Sequence, residues 1–205
     1  SWGKIHAVHL EPVASSYTGT KETFITGSPL PVTDIIIHPK DGAMYFTTGG
    51  RKVQSGVYRV TYNGNESTAD VVKRTQGQDR NLRHKLERFH GKQHKDAINE
   101  SWVHLNHTGR FIRWAAMTAV MHQPVKQWQR RALTEKDPNK RVLALLALCK
   151  VIGADPKNSI AEKSTPEIDP ILSASIFKSL EQVDWSKLAD HGKLTLVRTY
   201  QIALI

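Results

Sequence analysis

The spacing of hydrophobic positions changes character about a third of the way along the chain. From Gly3 to Tyr62, apolar residues come in short runs rich in Val, Ile, Thr, Tyr and Phe, separated by Gly, Pro, Asn and Asp. These runs predict strands over Lys4–Leu10, Thr23–Thr26, Thr33–His38, Ala43–Thr47 and Gly56–Tyr62. Asp41-Gly42 stands between two of them, and glycine there supplies the positive φ of a tight hairpin. Gly49-Gly50 and Gly64 mark further turns. The order predicts an antiparallel β meander.

From about Arg80 the period becomes helical. Leu82, Leu86 and Phe89 share a face, and so do Ile112, Ala116, Ala119 and Val120. Val103 follows Ser101-Trp102 in a further helical stretch, and Pro124 opens a predicted helix through Trp128 and Leu133. Val142, Leu145, Leu146, Cys149 and Ile152 form another apolar stripe, stopped by Gly153. Residues Ala154–Pro170 read as a loop. Helical pattern returns over Ile171–Val183 and Trp185–Ile205. The fold class is therefore α+β, with domains predicted at 1–75 and 76–205.

The helical part carries an internal repeat of about 28 residues. Ala116 aligns with Ala144, Ala119 with Ala147, Val120 with Leu148 and Leu105 with Leu133. Arg113 and Arg141 stand at matching places, after Thr108-Gly109 and Asp137-Pro138 respectively. Small residues on one face allow close helix approach, and paired helices can then stack as a HEAT-like solenoid.

Composition narrows the class further. Of 205 residues, 39% are hydrophobic and 23% charged, with 13 Gly and 9 Pro, which excludes a disordered or collagen-like chain. No apolar run is long enough to predict a membrane span. The lone cysteine, Cys149, excludes an internal disulfide, a multi-cysteine metal site and a Cys-x-x-Cys-His haem attachment within these residues. It fits cytosol and periplasm equally. The N-terminal Ser-Trp-Gly-Lys-Ile-His stretch is not a signal peptide and reads as the middle of a folded segment, so a fragment is expected.

The formal charge of +10 is concentrated: about +2 over 1–75, about +9 over 76–150 and about −1 over 151–205. Arg80, Arg83, Lys85, Arg88, Lys92 and Lys95 form its densest run. They are candidates for binding a polyanion (nucleic acid or acidic glycan) or an acidic protein. A solvated outer helix face accounts for the same residues. No aromatic residues interleave in the pattern that single-stranded nucleic acid favours. His90/His94 and His104/His107 have helical spacing but no accompanying acidic ligands, and no metal is predicted. Asp34 and Arg51 lie where loops meet strands, a usual position for binding groups. A turn-capping Asp and a surface Arg explain them as well. No serine sits in a nucleophile elbow, and Cys149 reads as a buried small hydrophobe.

Two segments carry a family resemblance. Pro31-Val-Thr-Asp-Ile-Ile-Ile-His-Pro-Lys-Asp-Gly-Ala-Met-Tyr-Phe-Thr-Thr-Gly-Gly-Arg51 with Gly56-Val-Tyr-Arg-Val-Thr-Tyr62 resembles the closing blades of a β-propeller in sorbosone/glucose dehydrogenase-like proteins. Leu105-Asn-His-Thr-Gly-Arg-Phe-Ile-Arg-Trp-Ala-Ala116, Asp184-Trp-Ser-Lys-Leu188 and Thr199-Tyr-Gln-Ile-Ala-Leu-Ile205 are similar to the HEAT-like segment after that propeller. The resemblance implies a periplasmic or extracellular parent protein, a quinone-dependent sugar dehydrogenase. Its partners would be the remaining blades and a c-type cytochrome domain. Pyrroloquinoline quinone and haem c would belong to the parent, with no cofactor held within this chain, and Asp34 and Arg51 carry over only as rim candidates for the quinone. With one or two blades against the 4–8 of a complete propeller, the chain alone is not expected to be active.

Overall fold

The computed structural model describes residues 3–50, 52–67, 77–153 and 169–204. The chain divides into two compact units, Ser1–Val13 with Tyr17–Thr75 and Ala14–Ser16 with Gln76–Ile205.

The first unit holds five strands: β1 (Gly3–Val13), β2 (Ser16–Gly27), β3 (Val32–Ile37), β4 (Met44–Gly50) and β5 (Val53–Val60). They form two sheets rather than one meander, β1–β2 and the antiparallel β3–β4–β5. Strands β1 and β2 are longer than the apolar pattern predicts. Backbone pairing between two neighbouring strands does not depend on side-chain polarity, so the hairpin continues through Glu11-Pro12 and Tyr17-Thr-Gly-Thr-Lys21. The His9 Nε2–Glu22 Oε1 contact at 3.0 Å adds an exposed cross-strand pair.

In the second sheet Ile35 stands opposite Phe46, and Phe46 opposite Tyr58. Phe46 is buried and its ring stacks on Tyr58 at 4.9 Å. The β3–β4 connection uses Gly42 at φ +66°, as Asp-Gly predicts. It is wider than a two-residue turn: His38 N–H donates to the Ala43 carbonyl, and Gly42 N–H to the His38 carbonyl.

The second unit is helical: α1 (Gln78–Glu87), α2 (Ala97–Trp102), α3 (Arg110–Met121), α4 (Gln129–Thr134), α5 (Pro138–Ile152), α6 (Pro170–Glu181) and α7 (Asp190–Ala203). Two helices begin alike. Asp137 caps α5 by accepting the Lys140 N–H at 2.9 Å, Asp169 caps α6 by accepting the Ile171 N–H, and proline follows each. Every residue from Val142 to Cys149 is buried, more than a one-sided stripe requires. The reason is position: α5 packs against α3, α4, α6 and α7 at once. The loop expected over Ala154–Pro170 falls largely outside the described residues.

Two predicted helices are interrupted. The segment after Pro124 begins as a 3-10 turn, Val125–Gln127, and breaks at Trp128, whose indole is fully buried and donates to the Gln123 carbonyl. Trp185–Lys187 is likewise a separate 3-10 turn capped by Asp184, and α7 starts only at Asp190.

The 28-residue offset has a geometric counterpart. Gly109 and Asp137 are the N-caps of α3 and α5, and one turn later Arg113 and Arg141 act alike. The Arg113 guanidinium donates to the carbonyls of His107 and Thr108, and Arg141 Nε to that of Glu135. Each arginine thus ties its helix to the residue six positions back. Ala116, Ala119, Ala144 and Ala147 are all buried.

Candidate functional site

The six basic candidates have different surroundings. Arg80 is only 8% exposed on α1. Arg83 Nε lies 3.1 Å from Glu87 Oε1, one helical turn on, and Glu87 also meets His84 Nδ1 at 2.9 Å. Lys85 Nζ reaches Glu100 Oε2 at 2.8 Å, joining α1 to α2. That hydrogen bond first of all, against the opposing effect of burial, holds the Glu100 carboxyl below its ordinary value. Arg88, Lys92 and Lys95 remain exposed and form no ion pair among the described residues. Asn81, His84, Lys85, Glu87 and Arg88 line a shallow, open depression rather than an enclosed pocket.

The segment that carries the exposed cations is held from beneath. Gln123, 3% exposed at the end of α3, accepts the His94 N–H at 2.9 Å. Its amide nitrogen donates to the carbonyls of Lys92 at 3.1 Å and Ala119 at 3.0 Å. His90 Nε2 is 2.9 Å from the Ala115 carbonyl, and the His94 ring lies 5.1 Å from that of Phe89. These histidines are structural ties. Among the described residues no group of three His, Cys, Asp or Glu side chains could hold a metal.

His104 and His107 stack edge-on at 6.2 Å. Partial burial first, and then the neighbouring charges of His107, Lys85 and Lys140, push the His104 imidazole below its usual value. Glu135 is the centre of a second network. Its Oε2 accepts the Trp102 indole N–H at 2.6 Å and its Oε1 the backbone N–H groups of Lys136 and Asp137. Arg131 covers the Trp102 ring at 4.5 Å. Burial raises the Glu135 carboxyl, but the Trp102 and backbone donors outweigh it and the net displacement is downward. This network links the loops before α3 and α5, since Asn106 Nδ2 also donates to Asp137 Oδ2 at 2.8 Å.

Asp34 is exposed on β3, and its Oδ1 accepts the N–H of the adjacent Ile35. Arg51 lies outside the described residues. The single cysteine, Cys149, is buried with its thiol pushed up to about 11 by desolvation.

The sequence reading passed over a polar cluster at the β3–β4 hairpin. Asp41 Oδ2 accepts the Tyr45 hydroxyl at 2.9 Å and Arg59 at 3.3 Å, while Oδ1 accepts the Ala43 N–H. The cluster includes His38, 3.1 Å from Asp41. The available signal was the pairing of Tyr45 with Arg59 in register, which becomes visible only once the strands are aligned. Trp114 and Trp185 are both about half exposed, each facing a lysine ammonium at 5.8 Å.

No protein-family model matches the chain, and neither a curated protein nor a solved structure is similar to it. What the fold defines is an α+β chain of two small sheets and a helical unit. No helix among them is long and apolar enough to cross a membrane.

Proposed function

We propose that this chain is the scaffold and junction segment of a larger exported oxidoreductase resembling sorbosone/glucose dehydrogenases. In this reading the strands are closing-blade sequence of a β-propeller, the helices are HEAT-like repeats, and the quinone- and haem-binding parts lie elsewhere in the parent. One observation carries the proposal: the β3–β4–β5 sheet leaves large apolar side chains in solvent on both faces, although Phe46 is buried on one and Asp34 and Arg59 accompany them on the other. Ile37 is 61% exposed on one face, and Ile36 and Val57 are 60% and 74% exposed on the other. A sheet with solvent on one side alternates apolar and polar residues, whereas consecutive isoleucines suit a sheet packed on both sides. Neighbouring blades would supply those layers. The helical unit contrasts with this, since its core buries Trp102, Leu105, Trp128 and Leu145 without outside help.

The supporting role follows from the same division. A rigid helical stack fixes whatever flanks it, and α5 gives the stack its spine. The test is the size of the protein in its source cells, read by immunoblotting with an antibody against a surface peptide of α1. A band far larger than the 205 residues is expected, retained in an exported fraction. A band matching this chain alone overturns the junction reading. The purified chain, given pyrroloquinoline quinone, an aldose and an artificial electron acceptor, is expected to show no turnover. Turnover would place the catalytic centre here and contradict the scaffold role.

A further inference from the structure

The segment from Arg88 to Asp96 joins α1 to α2, and its backbone is fixed. The buried Gln123 amide grips it at Lys92 and His94, and the Trp128 indole in turn holds the Gln123 carbonyl at 3.2 Å. The buried Phe89 and the His90–Ala115 bond anchor its first half. Above this clamp Arg88, Lys92 and Lys95 project as exposed cations. Of the nearby carboxylates, Glu87 is held by Arg83 and His84 and Glu100 by Lys85, with Arg88 also contributing to the field at Glu100. An ordered backbone carrying exposed cations lowers the ordering cost of binding a partner, which an untethered basic loop would bear in full.

We propose that this clamped loop is a docking surface for an acidic segment of a protein partner. The site is independent of the junction reading. Its chemistry favours carboxylates over nucleic acid. Stacking platforms are lacking at the loop, because Phe89 is buried and His94 packs on it. Arg88 also borders the open depression on α1, which suits an extended chain rather than a small anion that needs enclosure. Three flexible cations match a short run of Asp and Glu side chains.

The test is fluorescence anisotropy of the folded chain with a labelled oligoglutamate peptide, at low salt and near about 1 M salt, where the Debye length shrinks to about 3 Å. Binding at low salt and its loss at high salt are expected. Arg88→Glu/Lys92→Glu/Lys95→Glu should weaken binding by about tenfold or more, while the charge-matched Lys178→Glu/Lys187→Glu/Arg198→Glu on α6, the following turn and α7 should change it by less than about twofold. Gln123→Leu, which frees the loop without altering a charge, should weaken binding by about threefold. Should that variant fail to fold by circular dichroism, the surface triple variant decides alone. Equal losses in both charge-reversal variants overturn the proposal, as does a triple variant that binds normally. Tighter binding of a single-stranded oligonucleotide or heparin than of oligoglutamate, lost in the same triple variant, overturns the assignment to an acidic protein.

Discussion

Glu135 shows how one carboxylate can bind two helical turns together. Its oxygens satisfy the buried Trp102 indole and two backbone N–H groups, and its own carbonyl receives Arg141. Glu135→Ala leaves the Trp102 N–H without that acceptor in a site where the indole is 1% exposed, an expected loss of about 1–3 kcal/mol in urea unfolding. Glu135→Gln retains an acceptor and should lose less. Equal stability of the alanine variant and the parent would remove the network from the account. The pH dependence has a defined sign. The Glu135 carboxyl is displaced below 4.5, so the folded state binds fewer protons than the unfolded one near that value. Its contribution is complete above pH 4.5 and disappears as the pH falls below it. His104 is displaced below 6.5, so its contribution is complete above that value and lost as acid is added. His104→Gln should flatten the melting temperature between neutral pH and pH 5, and an unchanged slope would contradict this.

At the scale of elements, small residues set how closely the helices approach. Ala116 and Ala144 are 0% and 1% exposed, on neighbouring helices that touch. Ala116→Leu would place a larger side chain where no space remains, with an expected cost of about 1–3 kcal/mol by overpacking, measurable by chemical denaturation. A neutral effect would mean the helices can slide apart cheaply. This repeat was readable in the sequence because Ala, Arg and the turn residues recur at a fixed offset. The five strands were readable as well, but not their grouping into two sheets: every pairing joins neighbours in sequence, and nothing in the apolar pattern marks that β2 and β3 do not pair. The breaks at Trp128 and Trp185 were not legible. A tryptophan within an apolar pattern looks helical, and only tertiary contacts show that one turns inward and the other remains at the surface. The basic run was legible as charge, but the partners that neutralise Arg83 and Lys85 could not be assigned before the helices were placed: Glu87 comes from the same helix and Glu100 from the next.

On the whole-molecule scale the two units differ in how much of their apolar surface they keep from water. The helical unit has one large buried cluster centred on α5, with Leu145 and Leu148 fully enclosed. The β unit buries Leu30, Ala43 and Phe46 yet leaves Ile36, Ile37 and Val57 to solvent. An isolated two-stranded sheet is marginally stable in water, and a three-stranded one depends on its hydrophobic face. The central claim is that the strands are one layer of something larger and the helices a self-sufficient support. Hydrogen exchange followed by mass spectrometry tests it most directly, because local opening reports how completely each element is packed. The account predicts slow exchange across α3 and α5 and fast exchange across β3–β5 in the purified chain. Strands protected as strongly as the helices would contradict it.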